Sequence, residues 1–261
     1  MSAQVSAKSY WIGYKTILFK EIHRVVRIWP QTLFPPVITM TLYFVIFGNI
    51  IGRRVGEMGG YDYMEFIIPG LIMLSVITNS YGNVTSSFFG AKFGRHVEEL
   101  LISPLPPWII LAGYVSGALF RALIVGFLVW LIATLFSGVF MHNLAVTVSI
   151  LVMTSMVFAL AGFINAVFAK TFDDISIIPT FVLQPMTYLG GVFFSVGLLP
   201  GIWEKVALAN PILYMVNALR WGMLGVTDVS LGLAYFMIIL FGVVLGWLSL
   251  FLLHRGTGLR S

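Results

Sequence analysis

Residues 231–253 read LGLAYFMIILFGVVLGWLSLFLL, a run without one charged side chain that ends directly on His254 and Arg255. At about 1.5 Å per residue, a helix of that length crosses the ~30 Å hydrocarbon core of a bilayer. The rest of the chain has the same character. Of its 261 residues, 59% are hydrophobic and only 10% are charged. Soluble domains run nearer about 45–50% apolar and about 25% charged. A chain of this size has no use for so much apolar surface in filling one core. The composition therefore excludes a soluble domain. The expected fold is an all-α polytopic membrane protein, with lipid as part of its solvent.

Five further stretches have the length and character of spans. They are residues 33–51, with Pro35, Pro36 and Gly48; 63–82; 108–137; 144–168; and 175–194, interrupted by Pro179, Pro185, Gly190 and Gly191. The reading is thus six transmembrane helices. Residues 195–230 are mostly apolar but broken by Pro200, Glu204, Lys205, Pro211 and Arg220. They suit a re-entrant or interfacial helical hairpin, provided its backbone is buried in protein. With the N-terminus inside, Lys8, Lys15, Lys20, Arg24, Arg27, Lys92, Arg95, Lys170, Arg255 and Arg260 face the cytoplasm. Arg53, Arg54, Lys205 and Arg220 fall outside, and Arg121 lies within the third span. That positive-inside bias, with an even number of spans, places both termini in the cytoplasm. The net charge of +5 then reports topology and not nucleic-acid binding. The chain has no cysteine, which rules out disulfide and thiolate chemistry. The first 30 residues lack the form of a cleavable signal. Residues 1–261 read as one membrane domain.

Three cytoplasmic segments carry functional interest. In residues 9–29, Trp11, Tyr14, Leu18, Ile22, Val25 and Trp29 recur at steps of three and four, while Lys20, His23, Arg24 and Arg27 collect elsewhere. This is the pattern of an interfacial helix, either a plain topology anchor or an elbow that passes force into the first span. Residues 86–107, SSFFGAKFGRHVEELLISPLPP, mix Phe88, Phe89 and Phe93 with Lys92, Arg95, Glu98 and Glu99, and stop at a proline cluster. They read either as an amphipathic helix that docks into a partner's groove or as a solvated loop on lipid headgroups. The second loop holds Lys170, Asp173 and Asp174. Adjacent carboxylates do not share a helix face, so they suit the N-terminus of the fifth span better than a metal.

Nothing acidic in the spans is an obvious counter-charge for Arg121, so it is not read as a proton or ion site. Gly48 and Gly52, Gly113 and Gly117, and Gly242 and Gly246 have the spacing that permits close helix contact. The four histidines are scattered, and neither HExxH, GxGxxG nor GxxxxGK[ST] occurs. If ATP drives this protein, the ATPase is another chain.

On its quoted motifs the chain resembles a permease of the ABC-2 type, the membrane subunit of a bacterial ABC exporter. The resemblance covers residues 10–261. It rests on RIWPQTLFPPVITMTLYFVIFGN, on FFGAKFGRHVEELLISPLP, on FAKTFDDISIIPTFVLQPMTYLGGVFFS and on the closing RG-G-LRS. It is most specific between Leu183 and Arg220, with Leu189, Gly190, Leu199, Pro200, Pro211, Tyr214 and Arg220 at the family's positions.

The resemblance implies a type V-like exporter fold. Its N-terminal interfacial helix connects to the first span, and extracytoplasmic re-entrant helices lie between the fifth and sixth. It implies two permease copies in the bacterial inner membrane over two copies of a cytoplasmic ABC ATPase. ATP and Mg would be bound by the ATPase and no cofactor by this chain. Phe88 to Leu101 would be a coupling helix, with Glu98 and Glu99 facing the ATPase and Phe88 and Phe93 packing the joint. Phe89, Arg95, Lys170, Asp173 and Asp174 would complete that contact. Met186, Tyr188, Phe193 and Phe194 could line an apolar or amphipathic path, or simply pack against lipid. No ring of charge marks an ion filter. The expected cargo is therefore amphipathic: drug-like, lipid-linked or saccharide. The competing classes are an intramembrane lipid- or glycolipid-modifying enzyme, which lacks a convergent polar set here, and a secondary transporter, which lacks coupling carboxylates.

Overall fold

The structure is a computed structural model that describes residues 7–138 and 141–258. Arg260, counted above with the cytoplasmic charges, lies outside the described residues, as does the end of the RG-G-LRS motif. Helix α1 is Ala7–Arg27. Helix α2, Trp29–Val55, opens on Trp29 and Pro30, carries Pro35 and Pro36 inside, and widens into a π-helical stretch at Phe44–Ile51. A two-stranded hairpin follows, β1 (Glu57–Met58) with β2 (Tyr61–Asp62). Then come α3 (Tyr63–Phe93), the short α4 (His96–Ile102), α5 (Pro107–Ser137) and α6 (Leu144–Phe168). Helix α7 runs without a break through Asp174–Ile178, a π-helical Pro179–Leu183 and Gln184–Leu189. Last are α8 (Ile202–Leu208), α9 (Pro211–Leu224) and α10 (Leu231–Arg255).

Among the described residues, five helices are long and apolar enough to span a membrane: α2, α3, α5, α6 and α10. The expected fifth span is not among them. Helix α7 stops at the Gly190–Gly191 turn, and at about 1.5 Å per residue it falls short of ~30 Å. The second span was expected to end at residue 82. It continues as unbroken helix to Phe93, because nothing between Gly82 and Phe93 breaks a helix.

Helix α3 is the axis of the molecule. It packs along both α5 and α6, and 83% of its most apolar window is buried, against 12% for α2. Helix α9 lies against α3, α6 and α10, and α10 against α6. Helices α2 and α7 remain at the edge and present Ile38, Leu42, Ile50, Ile177, Phe181 and Val182 outward.

Helix α1 packs one position off the stripe expected to face the membrane, whose Tyr14, Leu18 and Ile22 are half-buried and whose Val25 is buried. Trp11 and Trp29 are exposed, and the buried line is Ile17, Glu21 and Val25. The helix ends at Arg27, so Trp29 begins α2 instead of closing α1. The reason for the rotation is α5. Gly113 and Gly117 remove two side chains from its face, and Ile17 and Glu21 settle into the gap; a Cβ at Gly117 would overlap that of Glu21.

Glu21 is fully buried yet satisfied. It accepts a 2.6 Å bond from Ser87 Oγ and pairs with Arg24 at 3.2 Å. Arg24 also donates to Asn83 Oδ1 at 2.8 Å and to the Asn83 carbonyl at 3.1 Å. This joint fixes α1 to α3 and α5. Gly117→Leu is expected to destabilise the chain by about 1–3 kcal/mol through overpacking. A lowered melting temperature in detergent, with Gly117→Ala between wild type and Leu, checks it.

Candidate functional site

Two regions gather the residues singled out from sequence. The first is the C-terminal end of α3. Phe88 is buried between Tyr114 and Phe163, with ring centroids 5.2 and 4.4 Å away. It holds the bundle together and is not at the surface. Phe89 and Phe93 close over Phe172 of the second loop at 5.0 and 5.1 Å. Lys92 Nζ donates to the carbonyls of Val167 and Ala169 at 2.6 and 2.7 Å. These are carbonyls at the end of α6 that have no partner within the helix, and a cation is favoured there. Lys92→Met should cost about 1–2 kcal/mol by leaving them unpaired, read as a fall in melting temperature.

The expected single helix over Phe88 to Leu101 does not form. Helix α3 ends at Gly94, and Arg95 turns left-handed at φ 61° before α4 begins. Phe88, Phe89 and Phe93 therefore belong to the long α3, while Glu98 and Glu99 sit in the first turn of α4, where the helix dipole favours carboxylates. Arg95, Glu98 and Glu99 are exposed, and Val97 anchors α4 inward.

In the second loop, Asp174 Oδ2 accepts the backbone N–H groups of Lys170 and Thr171 at 2.8 and 2.9 Å. Those bonds hold its carboxyl below the ordinary carboxylate range. It thus pins its own loop, and Asp173 at the head of α7 makes no capping bond. Lys170 and Asp173 are exposed beside it. A groove of about 570 Å³ runs between these pieces, from Phe89, Arg95 and Glu98 to Val167 and Lys170, and on to Thr257 and Gly258. The sequence reading missed the part played by Phe172 and by the turn after α10. Nothing in their local pattern points to a shared groove.

The second region is the turn after α7. Gly191 has φ +76° and turns the chain back, and Val192 then presses on Gly70 of α3 so closely that a Cβ at Gly70 would meet the Val192 backbone. A 3₁₀ turn at Val196–Leu198, then Leu199 and Pro200, lead into α8. Asn210 starts α9 by accepting the Ile212 N–H at 3.0 Å, and donates to the Met186 carbonyl at 2.5 Å. Tyr214 Oη closes the α8–α9 corner on the Leu208 carbonyl at 2.7 Å. Pro211 is the first residue of α9.

Arg220, counted among the outer-side charges and the signature positions, is 1% exposed. Its guanidinium lies 3.9 Å from the Phe66 ring centroid and donates to the Gly191 carbonyl at 2.6 Å and Asn217 Oδ1 at 3.3 Å. Asp228 stands 3.9 Å away, and accepts from Ser195 Oγ at 2.7 Å and the Val196 N–H at 3.1 Å. Asn217 and Asp228 went unrecognised. The signal was available: an arginine in an apolar stretch needs a partner, and Asp228 is the next carboxylate along the chain.

Of the supposed path residues, Tyr188 and Phe193 form one aromatic cluster with Tyr43 and Phe47 of α2. Phe193 stands 4.7 Å from Phe47 and 6.0 Å from Tyr188. Met186 and Phe194 are half-buried beside it. Arg121 donates to Asn79 Oδ1 at 3.1 Å, a neutral partner. Among the described residues, no group of three His, Asp or Glu is placed to hold a metal ion.

The family model described as ABC-2 type transporter matches residues 13–224, the stretch that holds α3, α4, the second loop and Arg220. The chain belongs to the ABC-2 type transporter family. It is 55% identical over 252 residues to the inner membrane transport permease YadH of Escherichia coli K12, covering 97% of this chain and 98% of that one. It is 26% identical over 215 residues to nodulation protein J of Rhizobium meliloti, covering 82% of each. With several apolar helices and an inner membrane permease as a relative, this ABC-2 type chain is a multi-pass inner membrane protein. Membership of the family implies an ABC ATPase as partner in general terms.

Proposed function

We propose that the chain is the permease subunit of an ATP-driven exporter. A separate ABC ATPase binds its cytoplasmic face and supplies ATP and Mg. The observation that carries this reading is the meeting of α3, α4 and the second loop around one groove, rimmed by exposed Arg95, Glu98 and Lys170. A movement of the ATPase there reaches α3, the central helix, through Phe89 and Phe93, and reaches α6 through Lys92. The sequence itself has no GxxxxGK[ST] phosphate loop.

In this reading both termini are cytoplasmic, and α7 with the turn at Gly190 acts as the fifth of six spans. The exposed apolar edges of α2 and α7 pair two copies of the chain. The α8–α9 hairpin closes the outer end, its backbone held within the protein by Asn210 and Tyr214 as a re-entrant segment requires. The half-exposed Tyr188 and the Phe193 cluster border the path of an amphipathic cargo moving outward. The test is to purify the tagged chain from its own membrane and identify the soluble proteins that come with it. A P-loop ATPase at one copy per permease is the expected result. Its absence, under conditions that preserve other membrane complexes, would sink the reading.

A further inference from the structure

A second groove, of about 620 Å³, lies between α1 and the start of α5, far along α1 from the Glu21 joint. That volume is in the range of small-molecule sites, about 300–1,000 Å³. Its walls are Tyr10, Trp11 and Tyr14 on one side and Trp108 and Ala112 on the other. Its floor is fixed by Tyr14 Oη donating to Ser116 Oγ at 2.9 Å. We propose that this groove holds one anionic phospholipid of the cytoplasmic leaflet, with an acyl chain along the aromatic walls and its phosphate beside Lys8 and Lys15.

Three observations choose that occupant. Trp11 and Trp108 are each 56% exposed at the two lips, and tryptophan so placed belongs at the headgroup level. The charged residues of α1 before Glu21 are all lysines, Lys8, Lys15 and Lys20, while Glu21 itself is buried and paired with Arg24. Lys15 Nζ already lies 4.9 Å from the Trp11 ring, at the mouth of the groove. Across from it, α5 carries no charged residue before Arg121. An apolar slot with a one-sign rim selects a ligand that is apolar along its length and anionic at its head. The leaflet rests on the cytoplasmic placement of α1 in the reading above. The binding itself does not depend on the ATPase.

The experiment uses the full chain in phosphatidylcholine nanodiscs that contain brominated-acyl phosphatidylglycerol or brominated-acyl phosphatidylcholine at equal mole fraction. Quenching is assigned to Trp11 and Trp108 by difference from a Trp11→Phe/Trp108→Phe variant. Phosphatidylglycerol is expected to quench this component at least about threefold more strongly, as a basic rim requires. Lys8→Gln/Lys15→Gln, on the surface, should equalise the two lipids. Ala112→Phe, which fills the groove, should remove the quenching by both. Equal quenching of the wild type by the two lipids would mean ordinary boundary lipid and overturn the proposal. So would a preference that survives the lysine changes, and that variant keeps the test intact if Ala112→Phe fails to fold.

Discussion

Replacing Arg220 by methionine is expected to cost about 2–4 kcal/mol, from the loss of a buried guanidinium's two hydrogen bonds and its stacking on Phe66. Against a total stability of about 5–15 kcal/mol, that loss leaves the chain folded but lowers its melting temperature clearly. The cause is local. The substitution leaves the Gly191 carbonyl without its donor, takes one of two donors from Asn217 Oδ1, removes the cation beside Asp228, and leaves Phe66 without its cation. It also frees the turn that ends α7, because the Gly191 carbonyl is the point where Arg220 holds it. Arg220→Lys should rescue little, since an ammonium cannot reach two acceptors and stack at once. Arg220→Met/Asp228→Asn should be less damaging than the sum of the two single changes, because Asp228 then carries no unpaired charge. Size-exclusion profiles and melting temperatures of the four proteins decide this. A single Arg220→Met variant that melts with wild type would show that the cluster contributes nothing to stability.

Charge reversal on α4 is expected to do the opposite, sparing the fold and removing the partner. Glu98 and Glu99 are exposed and make no bond within the chain that would be lost. Glu98→Lys/Glu99→Lys should leave the melting temperature of the isolated permease within about 2 °C of wild type, since surface changes seldom exceed ±0.5 kcal/mol. Recovery of the ATPase with the permease should fall at least about tenfold, because two reversed charges oppose a complementary surface. Arg95→Glu should act in the same direction more weakly. Undiminished recovery after the double reversal would move the contact elsewhere on the groove, to Lys170 or to the turn after α10.

Much of this architecture was legible because lipid forces a simple pattern. The runs at 108–137 and 144–168 are uninterrupted, and the helices Pro107–Ser137 and Leu144–Phe168 coincide with them. What was not legible has a common physical cause, which is that it depends on what lies across from a residue. The face of α1 is set by the gap at Gly113 and Gly117 on α5, so a helical wheel drawn on α1 alone puts Glu21 outside. Arg95, left-handed at φ 61°, splits a stretch whose composition reads as one amphipathic helix. Arg220 looked like a topology charge because the turn that buries it, at Gly190 and Gly191, is 29 residues away. For the candidate site, the identities of Phe89, Phe93, Glu98 and Lys170 were readable, and their convergence with Phe172 and Gly258 was not.

In the proposed function this chain is a permease whose energy comes from another protein. The most direct test is ATP hydrolysis, measured on the purified chain alone and on its complex with the co-purifying ATPase. A third sample replaces the phosphate-loop lysine of that ATPase. The account predicts no hydrolysis above background for the chain alone, turnover for the complex, and loss of turnover with the altered ATPase. Hydrolysis by the chain alone, or turnover that survives loss of that lysine, would contradict it.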